Sequence, residues 1–215
     1  MPRFSSTTTA ALFPTCIHES MVEDAGPLNA KLKRRVERLR RETPLWKGSK
    51  SPWQCQPDLH TRSGFRPLVE LIHQAADQAQ ETLDWELPPL ELTGMWATIL
   101  SRGEHHPPHS HANNLFSGVY YVHSPSPERA KITFFTPNRA ADVWRPTVRK
   151  WTPLNSTSWS WPSREGMLLL FPSWLLHYVS VLGEPQERMS IAFNLAPRGP
   201  MNVPDSLQHA DFGRS

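Results

Sequence analysis

The chain has little of what marks a specialised class of protein. Two cysteines in 215 residues, Cys16 and Cys55, cannot frame a disulfide-stapled fold, and no Cys-x-x-Cys pair is present to hold zinc. A reducing, cytoplasmic setting is the expectation. No run approaches the ~18–20 consecutive apolar residues that cross a bilayer. The first twenty residues hold one basic side chain, Arg3, and only a broken apolar run, unlike a secretory leader. Charge of one sign is lacking too. The 23 Lys and Arg stand against 20 Asp and Glu, a balance too even for a nucleic-acid footprint. Neither nucleic acid nor a membrane is expected as a partner. At 38% hydrophobic residues the chain is still too apolar to be disordered.

Proline and tryptophan are abundant, at 22 and 9. Each proline fixes φ and removes a backbone donor, so long helices are excluded from most of the chain. From about residue 90 onward the prolines punctuate short apolar runs, which predicts many short strands joined by turns, as in an all-β sandwich or barrel. The candidate strands are Leu90–Leu100, Leu115–Val122, Lys131–Phe135, Met167–Phe171, Leu175–Leu182 and Met189–Leu195. Residues 136–165 read as a hairpin or a long loop over one mouth of the barrel.

Two helices are predicted ahead of this region. Over residues 27–42, Leu32, Val36 and Leu39 alternate at helical spacing with Lys31, Lys33, Arg34, Arg35, Arg38, Arg40 and Arg41, giving an apolar stripe and a solvated basic face. From Phe65 to Leu83, apolar residues recur at three and four until Pro88–Pro89. Leu12 to Val22 is a candidate entry strand, and 43–63 reads as a loop. The expected organisation is one structural domain: a strand and supporting helices over 1–89, a β core over 90–196, and a poorly ordered tail over 197–215.

Imidazole is concentrated in Gly103-Glu-His-His-Pro-Pro-His109-Ser-His111. Residues i and i+2 of a strand share a face, so His109 and His111 can aim two nitrogens at one point. His105 and His106, ahead of Pro107–Pro108, are expected on the approach loop. Alone, such a loop is as readily an exposed one. A second segment, Phe171-Pro-Ser-Trp-Leu-Leu-His177, brings a histidine into an otherwise apolar strand start and can complete a three-ligand face. Imidazole suits iron, zinc, copper and nickel alike. Eleven residues on, Arg188 and Ser190 share a strand face. A guanidinium fork beside a hydroxyl is a receptor for a carboxylate, the alternative being an ion pair with one of the chain's acids. Tyr120 and Tyr121 point to opposite sides of their strand.

The ordered set His109-x-His111, Ser117-Gly-Val-Tyr-Tyr, Phe171-Pro-Ser-Trp-x-x-His177 and Arg188-x-Ser190-x-x-Phe-Asn194 resembles the Fe(II)/2-oxoglutarate-dependent oxygenases, in particular a small family of them in bacteria and phages. The resemblance covers residues 90–196 best. It implies a mainly β, double-stranded β-helix (a jelly roll, cupin-like) with N-terminal helices packed on one sheet. It also implies His109, His111 and His177 on Fe(II), and Arg188, Ser190 and Tyr120 on 2-oxoglutarate. The reaction implied is dioxygen-dependent oxidation, most simply hydroxylation, of a C–H bond in a small molecule or peptide, with release of succinate and CO2. Arg102, Asn113, Trp144 and Arg145 are candidate substrate contacts, and a homodimer is compatible with this reading. The chain departs from the superfamily at His111, where two His and one carboxylate are usual. Residues 105–127 hold no Asp or Glu. The same two segments also resemble the paired motifs of cupins, but the expected Glu is replaced by Leu115 and Phe116. A non-catalytic jelly-roll binding module is the third reading.

Overall fold

The computed structural model describes residues 3–45, 51–138, 143, 146–183, 185–202, 207 and 210–213. Helix α1 (Gly26–Glu42) begins with Pro27, whose missing N–H costs nothing in a first turn, and buries Leu32 and Val36. Helix α2 (Arg66–Leu83) buries Leu68, Ile72, Ala75, Ala76 and Ala79 along one stripe. It stops at Asp84, in the left-handed region at φ +52°, whose N–H caps the carbonyls of Gln80 and Glu81.

The strands are β1 (His18–Met21), β2 (Trp53–Gln54), β3 (Leu90–Leu100), β4 (His106–His109), β5 (Phe116–His123), β6 (Lys131–Phe135), β7 (Ser158–Pro162), β8 (Met167–Pro172), β9 (His177–Val179), β10 (Arg188–Pro197), β11 (Gly199–Met201) and β12 (Ala210–Phe212). Six form a major sheet in the order β1-β8-β5-β10-β3-β2. Four form a minor sheet, β4-β9-β6-β7, and β11 pairs with β12. The pairings between these strands are antiparallel. This is the expected jelly roll, with both helices on the outer face of the major sheet.

Strand β10 organises the two faces. Met189, Ile191, Phe193 and Leu195 join Leu32, Val36, Leu68 and Ile72 in the core between sheet and helices. Each such fully buried side chain contributes ~1.5–3 kcal/mol relative to exposure. The alternate residues, Arg188, Ser190 and Ala192, face the space between the two sheets. A smaller core there joins Tyr121, Leu169 and Phe171 of the major sheet to Ile132 and Phe134 of the minor one. Gly118 lies opposite Phe193, and a Cβ at Gly118 would stand 2.3 Å from the Phe193 ring and 2.5 Å from the Leu169 carbonyl oxygen. The strands close up there only over glycine.

Several elements differ from the sequence expectation. The entry strand pairs only over His18–Met21, because Phe13 at φ +58° and the donor-less Pro14 break the extended run upstream. The loop expected over 43–63 contains β2, which adds to the edge of β3, and two 3-10 turns, Leu59–Thr61 and Ser63–Phe65. His106 is on a strand rather than an approach loop. It pairs with Val179, and the shift of register between His106 and His109 accommodates Pro107 and Pro108 on an edge strand, where prolines are tolerated. Over 136–165 the hairpin form is seen, with β7 paired to β6. Within the segment expected to be a poorly ordered tail, Gly199–Met201 and Ala210–Phe212 pair as the β11–β12 ladder.

Candidate metal centre

His109 and His177 are direct partners across the β4–β9 ladder. His111 follows β4, and its N–H donates to the Ser173 carbonyl at 2.9 Å, tying it to the turn that leads to His177. The rings stand 4.4 Å (His109–His177), 5.1 Å (His109–His111) and 5.3 Å (His111–His177) apart between centroids. One ring nitrogen from each lies within 4.8 Å of the other two. Two tautomers are fixed by the backbone. Nδ1 of His109 donates to the Pro107 carbonyl at 2.7 Å and Nδ1 of His177 to the Leu175 carbonyl at 2.8 Å. A carbonyl only accepts, so Nδ1 carries the proton and the Nε2 lone pair is left free to coordinate. His177 is 3% exposed and packs against the rings of Phe134 and Phe171. Burial pushes the pKa of His177 and of His111 down to about 4, so both are neutral at pH 7. Three converging imidazoles, two of them oriented by backbone carbonyls, fit a first-row divalent metal.

The cavity beside the histidines runs between the sheets to Arg188 and Ser190. Arg188 is 2% exposed, and its Nε has no hydrogen-bond partner. No acidic side chain pairs with it among the described residues. Its closest aromatic neighbour is Tyr121, whose ring centroid lies 5.7 Å from the guanidinium carbon. The structural ion pair weighed from sequence is therefore absent among the described residues. A buried cation without a counter-ion is costly, and the cavity in front of it is the place where an anion would relieve that cost. Ser190 is buried next to it, and Thr98 lies across the ladder from Ser190.

The sequence-predicted residues divide cleanly. His109, His111 and His177 converge, and Arg188 and Ser190 line the same cavity. Tyr120 does not. Its hydroxyl donates to Asn29 Oδ1 on α1 at 2.6 Å, on the helix side of the sheet. Tyr121 takes the cavity position because the ladder pairs it with Ser190, while Tyr120 pairs with core-facing Ile191. Arg102 and Asn113 are exposed turn residues outside the cavity lining, Asn113 in the left-handed region at φ +62°. Trp144 and Arg145 lie outside the described residues. Among the cavity residues not singled out from sequence as site residues are Tyr121, His106, Thr98 and Trp96. The first three share cavity-facing strand positions that only the register reveals.

Residues 94–194, from β3 through β10, match a family model described as "Putative 2OG-Fe(II) oxygenase". No curated protein matches the chain. Among solved structures, the chain is similar to the non-heme alpha ketoglutarate dependent epimerase SnoN from nogalamycin biosynthesis, at 14% identity and TM-score 0.64, over 90% of this chain and 81% of that one. It is similar to a Pseudomonas putida prolyl-4-hydroxylase at 15% identity and TM-score 0.61, over 86% and 94% of the two chains. It is also similar to HygX from Streptomyces hygroscopicus, solved with nickel and 2-oxoglutarate bound, at 15% identity and TM-score 0.60, over 85% and 83%. At these identities the likeness is one of fold.

Proposed function

We propose that this chain is a 2-oxoglutarate–Fe(II) oxygenase that hydroxylates a C–H bond of a small molecule or peptide, using dioxygen and 2-oxoglutarate. The single observation that carries this reading is the pairing, in one cavity, of a three-nitrogen metal site with a buried, unpaired guanidinium. A metal site alone would suit a cupin as well. The guanidinium adds a seat for a second, anionic ligand.

His109, His111 and His177 would hold Fe(II), and Arg188 with Ser190 would receive the far carboxylate of 2-oxoglutarate, with the Tyr121 hydroxyl in the role expected of Tyr120. The HygX structure with nickel and 2-oxoglutarate bound supports the pairing of metal and cosubstrate in this fold. When bound, iron with 2-oxoglutarate and dioxygen supplies the oxidising power, the balance being R–H, O2 and 2-oxoglutarate to R–OH, succinate and CO2. What the chain contributes is placement and exclusion. The Pro107 and Leu175 carbonyls hold the two imidazoles in the coordinating tautomer. Phe134 and Phe171 shield His177 from water. Burial keeps the Tyr121 phenol protonated, with a pKa near 12, so that it can donate to a carboxylate.

The reading is tested by succinate formation from 2-oxoglutarate with Fe(II) and ascorbate, compared with protein loaded with Zn(II). Iron-dependent succinate, even without the physiological substrate, is the expected result. A protein that binds metal at the three histidines but neither binds nor consumes 2-oxoglutarate would instead be a cupin-type metalloprotein.

A further inference from the structure

His106 is a fourth imidazole in the cavity, outside the trio and three residues before His109. Its ring centroid is 6.3 Å from that of His109, and only His109, His111 and His177 bring ring nitrogens within 4.8 Å of one another. His106 stands one step too far along β4 to share their ion. Opposite it on the ladder is Val179, and both line the cavity that the three histidines and Arg188 also line. Among the charged groups around His106, Arg188 acts on it most strongly. The backbone engages Nδ1 of His109 and of His177. Among the described residues the backbone engages no ring nitrogen of His106 in this way, and the buried Arg188 Nε has no hydrogen-bond partner. An imidazole from the minor sheet and a guanidinium from the major sheet therefore face one cavity, and no acid lines it among the described residues. A buried donor such as Arg188 Nε is almost always satisfied, and a carboxylate that met it would have lone pairs left for the half-buried His106 ring.

We infer that His106 is a cosubstrate-binding residue that donates a ring N–H to the carboxylate received by Arg188. The inference rests on the 2-oxoglutarate reading of the cavity. It gives that cavity a clamp drawn from both sheets, one that selects 2-oxoacids carrying a distal carboxylate.

The test is equilibrium binding of two 2-oxoacids to Mn(II)-loaded protein: 2-oxoglutarate, and 2-oxopentanoate, which has the same chain length and no distal carboxylate. His106→Ala should weaken 2-oxoglutarate about tenfold to a hundredfold, as expected for one hydrogen bond to a charged group. Its 2-oxopentanoate and Mn(II) affinities should stay at wild-type values. His106→Gln, which keeps a donor, should recover most of the loss. Wild-type 2-oxoglutarate affinity in His106→Ala would overturn the assignment, as would a parallel loss of Mn(II) or 2-oxopentanoate, which would make His106 a support of the metal site. If the wild-type Mn(II) protein bound neither 2-oxoacid, the reading of the whole cavity would fall, a result distinct from failure of His106 alone.

Discussion

Replacing Arg188 by Met separates a ligand seat from a structural ion pair, because the two roles predict opposite effects on the empty protein. Arg188 is 2% exposed, and no acid meets it among the described residues. Burial already opposes its charge and lowers its pKa. Met keeps the length of the side chain and removes the uncompensated cation. The midpoint of thermal unfolding of the metal-free, ligand-free protein should therefore hold or rise. Were Arg188 half of a buried ion pair, the same change would cost about 3–5 kcal/mol and lower the midpoint by several degrees. Binding behaves the other way. With 2-oxoglutarate bound, Arg188 is paired, and its loss leaves a buried carboxylate short of its counter-ion. The same ~3–5 kcal/mol then appears as a loss of affinity of roughly a hundredfold to a few thousandfold. Calorimetric titration of 2-oxoglutarate into Mn(II)-loaded Arg188→Met, beside a thermal scan of the apo protein, measures both. An affinity within threefold of wild type, or a lowered apo midpoint, would refute the assignment of Arg188.

The remaining expectations concern the rest of the cavity. His109→Ala or His177→Ala should abolish stoichiometric iron binding, read by metal analysis after dialysis; a variant retaining one iron per chain removes that residue from the ligand set. Tyr121→Phe should weaken 2-oxoglutarate while leaving stability near wild type. Tyr120→Phe should do the reverse, costing about 1–3 kcal/mol by leaving Asn29 unpaired, which denaturant titration would show. Burial holds His106, His111 and His177 near pKa 4 in the fold against 6.5 when unfolded, so folding favours their neutral forms. That stability is present in full above pH 6.5 and is lost as pH falls from 6.5 toward 4, a window in which apo unfolding curves should shift steadily and bound metal should dissociate. A flat apo midpoint across that window would contradict the burial of the three rings. His111→Asp should tighten Fe(II) in the absence of 2-oxoglutarate, measured by competition with a chromogenic chelator; unchanged or weaker binding would show that reach, not charge, governs this position.

Legibility in the sequence followed the range of the interactions involved. Strand β3 was readable end to end, and the helices to within a residue or three, because apolar periodicity and proline stops are local signals. The convergence of His109, His111 and His177 was inferred from one i, i+2 spacing and one distant strand start, and the β4–β9 register places the first and last directly opposite one another. Tyr120 went wrong for a reason no local pattern contains. Which of two adjacent tyrosines faces the cavity depends on how β5 registers against β10, and that ladder slips by one residue between Met189 and Ser190. His106 was hidden by the Pro-Pro pair after it, which reads as a loop and is in fact an irregularity on an edge strand.

The three-histidine face bears on how the two proposed ligands would depend on each other. A triad with one carboxylate offsets part of the charge of a divalent cation before anything else arrives. Here the donors are neutral, and the cavity already holds the Arg188 cation. With the metal in place, the pocket carries three positive charges and no protein anion among its lining residues. Charge compensation then falls on the 2-oxoglutarate dianion, whose two carboxylates would meet the metal at one end and Arg188 at the other. Each ligand therefore stabilises the other more than it would beside a carboxylate triad, since linkage makes the coupling reciprocal. A histidine at position 111 in place of an acid would thus strengthen the coupling: the grip of the three imidazoles on their metal would tighten when the cosubstrate binds.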